Sequence, residues 1–91
     1  MINLDTVISK TEEVVLAELD GKVVMMSIEN GQYYGLDEVG TCIWEMMSEP
    51  VKVGDIIARL MQEYEVAREE CEKDVIAFLE RLHEKKLIIL K

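Results

Sequence analysis

The chain has 91 residues, 49% hydrophobic and 32% charged, with 19 acidic against 10 basic side chains and a net charge of −9. That length holds one domain with a modest core, spanning 1–91, and that balance is of a folded chain, so a two-domain or disordered organisation is excluded. Nothing approaches the length of a membrane span, MINLDTVISK lacks the pattern of a signal peptide, and the acidic excess opposes nucleic acid, so a cytoplasmic protein with a neutral or basic partner is expected.

In chain order, Thr6–Ser9 reads as a short arm or strand. Residues 14–19, VVLAEL, are β-branched or apolar and run into Asp20-Gly21, a strong two-residue hairpin signal. Residues 22–28, KVVMMSI, resume as a strand with Val24, Met26 and Ile28 on one face and Val23 and Met25 on the other. The turn Glu29-Asn30-Gly31 then leads into Gln32-Tyr33-Tyr34-Gly35-Leu36. Three strands joined by tight turns make an antiparallel meander.

From Glu38 the period changes to that of a helix. Val39, Cys42, Ile43, Met46 and Met47 form its apolar side, Trp44 is displaced from that side, Asp37 is placed to cap it, and Glu49-Pro50 stops it. Val53, Ile56, Ile57, Leu60, Met61 and Tyr64 define a second amphipathic helix. A third and longer one carries Cys71, Val75, Phe78, Leu79 and Leu82 on one stripe, with Lys85 and Lys86 at its end, where positive charge suits the helix dipole. Leu87-Ile88-Ile89-Leu90 is too apolar to hang free and is expected to pack as an extended tail. The expected fold is α+β, a three-stranded antiparallel sheet followed by three helices, winged helix-turn-helix-like in its order.

Few residues carry chemistry. The acidic pairs Glu12-Glu13 and Glu69-Glu70 read as solvated surface charge. His83 is the sole histidine, so no Ser/His/Asp or Cys/His pairing can be assembled. Cys42 and Cys71 read as buried free thiols, and with no Cys-x-x-Cys pair there is no tetrahedral ligand set, so neither metal nor cofactor is expected. The glycines form no phosphate cradle. Most methionines are expected in the core, although methionine-rich surfaces also accommodate varied partners. Enzymatic activity is not expected.

The stretch QYYGLDEVGTCIW is more informative, because an aromatic strand meets a helix across one acidic residue. The last strand of a meander lies at an edge unless the arm or tail covers it, and an open edge invites another chain. No lysine or proline blunts it, Gly35 permits close backbone approach, and tyrosine offers an apolar face with a polar tip. The plainer alternative is that Tyr34 and Leu36 pack inward with Tyr33 half exposed. A winged-helix DNA binder is the rival architecture, but AREECEKD, at the start of the third helix, is a poor surface to present to phosphates.

With these motifs placed, the chain resembles the PqqD-like family of leader-peptide recognition domains over roughly 14–88. The resemblance rests on YYGLDEVGTCIWEMM, a turn at EP, IIARLMQEYEV and CEKDVIAFLERLHEKKLI. Within them, Leu36-Asp37, Gly40, Ile43-Trp44, Asp74-Val75, Phe78-Leu79 and Leu87-Ile88 are specific as a set. GLDEVGTCIW followed by EP most resembles the stand-alone members that serve lasso-peptide pathways, and the version from pyrroloquinoline quinone biosynthesis is a less close match.

The resemblance implies a winged-helix-like domain that does no chemistry. It binds the leader of a ribosomally made precursor peptide and presents it to a leader-removing cysteine protease and a macrolactam-forming cyclase. The leader is held as an added strand along Gln32, Tyr33, Tyr34, Gly35 and Leu36, with the third helix as the other wall of the groove. On that helix Asp74, Ala77 and Arg81 form a row beside the apolar stripe: Ala77 leaves space for a side chain, Asp74 accepts a hydrogen bond, and Phe78 serves core and pocket floor. Trp44 is expected to be a packing anchor. Relatives cap the second and third helices with threonine and with an acidic residue followed by proline. Lys52 and Ala67-Arg68 stand there instead, so frayed helix starts are expected. The remaining alternatives are a peptide chaperone of the pyrroloquinoline quinone pathway, a subunit whose activity needs a partner, and a winged-helix regulator.

Overall fold

The computed structural model describes residues 2–12, 14–20, 22–28, 31 and 33–91. Along the chain run β1 (Val7–Lys10), β2 (Val14–Leu19), β3 (Lys22–Ser27), β4 (Tyr33–Leu36), α1 (Glu38–Met46), β5 (Val51–Lys52), α2 (Val53–Glu63), α3 (Arg68–Glu84) and β6 (Ile88–Leu90). The expected meander is present as the sheet β2-β3-β4, antiparallel throughout. Asp20, at its first hairpin, takes the positive φ of 52° that a two-residue turn of this hand requires; Gly21, Glu29 and Asn30 lie outside the described residues.

The arm and the tail do more than extend the order of elements. They form a second antiparallel sheet, β5-β1-β6, in which Ile8 lies opposite Val51 on one side and Leu90 on the other. Ile8 and Ile88 are buried there, and Leu87 is buried just before β6. The tail is steered into this sheet by the end of α3. Lys86 takes φ 60°, Leu87 N–H donates to Leu82 O at 2.9 Å and Lys86 N–H to His83 O at 3.0 Å, the paired bonds of a Schellman motif.

One core serves both sheets and all three helices, drawing on Met25, Leu36, Ile43, Trp44, Ile56, Ile57, Leu60, Val75, Leu79 and Leu82. α1 is rotated from its expected setting. Its buried stripe is Gly40, Ile43 and Trp44, continued by Met47, whereas Val39 is 39% exposed and Cys42 and Met46 are only partly buried. The cause is Gly40, where a Cβ would meet Asp37 Oδ1 at 3.1 Å, Leu36 Cδ2 at 3.3 Å and Phe78 Cζ at 3.4 Å. Having none, α1 turns that face onto β4 and α3. Trp44 therefore lies on the inner side rather than displaced from it, and it is a packing anchor, buried with the Lys10 ammonium 4.9 Å from its ring centroid.

The start of α2 corrects the expectation of fraying. Lys52 gives no side-chain cap, but Val53 N–H donates to Thr6 O and Gly54 N–H to Leu4 O, each at 3.0 Å, so the N-terminal arm caps the helix with main-chain carbonyls. α3 begins as expected, with no side-chain cap from Ala67.

Candidate functional site

The meander's register decides which way β4 points its side chains. Met25 lies opposite Tyr34 and Val23 opposite Leu36, and Met25 and Leu36 are buried, so Tyr34 and Leu36 face inward. Tyr33 and Gly35 share the outer face with Val15, Ala17, Val24 and Met26, and Tyr33 is 70% exposed. The inward-packing alternative thus holds for Tyr34 and Leu36, with Tyr33 more exposed than it expected, while the backbone remains an edge. β4 closes the order β2-β3-β4, and the arm and the tail pair in the other sheet, so among the described residues no strand lies along its outer border. Gln32, expected as part of this edge, lies outside the described residues.

Between this border, the start of α1 and one face of α3 lies an open cavity of about 400 Å³. Tyr34 and Gly35 line it from β4, Asp37, Val39, Gly40 and Ile43 from the strand-to-helix junction and α1, and Asp74, Val75, Phe78 and Arg81 from α3. Positions 74, 75, 78 and 81 recur at helical spacing, which is why they share a face. Ala77 falls to the side of that row; it is exposed and does not line the cavity.

Two contacts tie the walls together. The rings of Tyr34 and half-buried Phe78 meet edge to face at 5.9 Å between centroids and 67° between planes. Arg81 Nε–H donates to the Tyr34 hydroxyl at 3.2 Å. Asp37, the N-cap of α1, accepts from Gly40 N–H at 2.7 Å and adds a carboxylate to the rim, with exposed Asp74 as a second. The cavity thus offers an apolar floor, two acidic groups and one cation beside an unpaired strand border. It suits an extended peptide.

Of the lining residues, Asp37 was read in sequence as a cap, Val39 and Ile43 as core, and Gly40 only as part of the family resemblance. The signal for them was the absence of any loop between strand and helix, which forces the first turn of α1 against the end of β4.

Cys71 and Cys42 are free thiols. Burial, and then the nearby Asp74 and Glu72 carboxylates, push the Cys71 thiol up. Burial, and then the hydrogen bond from Cys42 to Glu63 at 3.5 Å, do the same at Cys42. Both thiols are therefore held protonated at neutral pH, a poor state for a nucleophile. Among the described residues no group of three or more His, Cys, Asp or Glu side chains is placed to hold a metal ion, and no helix is long and apolar enough to cross a membrane.

A meander with a peptide-sized groove between its edge strand and the last helix defines a small winged-helix-like α+β domain. The chain belongs to the family of coenzyme PQQ synthesis protein D (PqqD), which it matches over residues 22–88. Among solved structures it is similar to TbiB1 in complex with the TbiA(beta) leader peptide, at 35% identity, a TM-score of 0.78, 88% of this chain and 93% of that one. It shares its fold with lasso peptide synthetase B1 complexed with the leader peptide, at 24% identity, a TM-score of 0.77, 90% of this chain and 96% of that one. No curated protein matches it in sequence.

Proposed function

We propose that this protein binds the leader region of a ribosomally made precursor peptide, in the cytoplasm, and presents it to modifying enzymes without itself catalysing a reaction. The observation that carries this is the outer border of β4, which no strand of the described chain occupies, facing a groove walled by α3. A peptide added there gains affinity from main-chain hydrogen bonds with little demand on its sequence, and specificity from side chains entering the groove. The similarity to TbiB1, solved in complex with the TbiA(beta) leader peptide, supports leader binding by this chain.

The partners that fit are a leader-removing cysteine protease and a macrolactam-forming cyclase. What favours a lasso pathway over pyrroloquinoline quinone synthesis is the run GLDEVGTCIW followed by EP. The family's description keeps the second pathway as the alternative.

Fluorescence polarisation with the labelled leader of the precursor encoded beside this protein tests the proposal. Alternate residues of β4 point their N–H outward, so either Tyr34→Pro or Gly35→Pro removes an outward donor while sparing the bonds to β3. That variant is expected to stay folded by circular dichroism and to lose at least tenfold in affinity, and Asp74→Ala is expected to weaken binding in a folded protein. Undiminished affinity in both the folded proline variant and a folded Asp74→Ala would overturn the groove assignment. Binding of a pyrroloquinoline quinone precursor in place of a lasso leader would move the protein to the other pathway.

A further inference from the structure

The groove contains an arginine that no carboxylate among the described residues pairs with. The chain's other two arginines each pair with a carboxylate one helical turn on: Arg59 with Glu63 at 3.7 Å and Arg68 with Glu72 at 3.3 Å. Arg81 instead donates Nε–H to the neutral Tyr34 hydroxyl, and among the described residues it forms no ion pair. Asp74 lines the same cavity but sits two helical turns away, about 10 Å along the axis. The contact with Tyr34 uses one donor of the guanidinium fork and leaves the rest for a ligand. We propose that Arg81 is a specificity-determining residue that selects an acidic side chain on the bound peptide, at the position lying beside Tyr34 on the added strand.

This rests on the strand-addition reading above and deepens it by naming the chemistry of one leader position. Tyr34 points inward, toward α3. Side chains directly opposite on paired strands share a face at about 5 Å between Cβ atoms. The peptide residue opposite Tyr34 therefore projects toward α3 beside the Tyr34 ring, whose hydroxyl holds Arg81. A planar fork with free donors matches a carboxylate better than an amide or a hydroxyl does. The peptide's own carbonyls are engaged by the strand border or solvent and are poor rivals for that fork. A cation in the last turn of α3 also suits the helix dipole. That role, however, needs neither a place in the groove nor a bond to β4, and it predicts no preference in the peptide.

The test uses the full chain and a display library of randomised dodecapeptides, selected in parallel on the natural protein and on Arg81→Glu. Peptides that lose binding to whichever β4 proline variant remains folded are kept as groove binders. The natural protein is expected to enrich Asp or Glu at one position, and Arg81→Glu to enrich Lys or Arg there. A fluorescein-labelled selected peptide with Glu at that position should bind the natural protein roughly tenfold more tightly than its Gln counterpart, the scale of one charge-assisted hydrogen bond. On Arg81→Gln the two peptides should bind alike, and Arg81→Lys should retain part of the preference. Because the readout is the ratio between two peptides on one protein, a general loss of stability does not imitate it. Groove binders without acidic enrichment, or a Glu preference that survives in Arg81→Gln, would overturn the inference and leave strand addition standing. No groove binders at all would overturn both.

Discussion

Asp37 and Ala67 hold the same position at the start of two helices with opposite consequences. Asp37 has extended backbone angles and accepts from Gly40 N–H, satisfying one of the donors a helix leaves unpaired. Ala67 has the backbone geometry of a cap, φ −65° and ψ 138°, and no side-chain oxygen to use it. Ala67→Ser is expected to stabilise the protein by about 1 kcal/mol, a rise in Tm of roughly 4–8 °C for a domain this size, and Asp37→Ala to lower it comparably. Differential scanning calorimetry checks both. The two differ at the site, because only Asp37 lines the groove, so Ala67→Ser should leave peptide affinity unchanged. Both capping readings were legible in sequence, since they depend on local residue type. The rotation of α1 was not, because it follows from how closely Gly40 lets Phe78 approach, a contact between segments far apart in the chain.

At the level of elements, the hairpin signal at Asp20-Gly21, the alternation in residues 22–28 and the apolar spacing of residues 53–64 each specify structure within a few residues. The three strands of the meander and the three helices were therefore readable. The sheet β5-β1-β6 was readable only in fragments, as an arm and an apolar tail. Its strands are two to four residues long and pair across most of the chain, so no local period or turn announces them. Yet this sheet keeps arm and tail away from β4, and the arm leading into it closes the start of α2 through Leu4 O and Thr6 O. Ile2, 4% exposed, anchors the arm. Deleting residues 1–5 removes that buried side chain and strips Gly54 N–H of its acceptor, an expected loss of about 2–4 kcal/mol. Urea unfolding followed by the fluorescence of buried Trp44 measures it. Since the described residues of the deleted segment line none of the groove, leader affinity under folding conditions should stay within about twofold.

For the whole molecule, the decisive quantity is the field that a partner meets. Strands followed by a helix-turn-helix also build DNA-binding winged helices, in which the last helix enters the major groove. Here the first half of α3 presents exposed Glu69, Glu70 and Asp74, and the chain carries −9 overall. Phosphate contacts from lysine and arginine supply most non-specific affinity for DNA, and their cost in salt scales with their number. With Arg68 engaged by Glu72 and Arg81 turned toward β4, α3 offers no row of cations to a phosphate backbone. The protein is therefore expected to give no gel shift with a labelled duplex even at about 20 mM salt, where such contacts are strongest. A shift that disappears with added salt would show a phosphate-binding surface that the charge distribution does not provide. The same field acts oppositely on a peptide. A leader with net positive charge should associate faster at low salt and slow as ions screen the attraction, while the dissociation rate, set by contacts inside the groove, changes little. Stopped-flow polarisation at two ionic strengths separates the two rates. A salt effect confined to dissociation would mean that the charges act only inside the groove and that the −9 surface does not steer the leader.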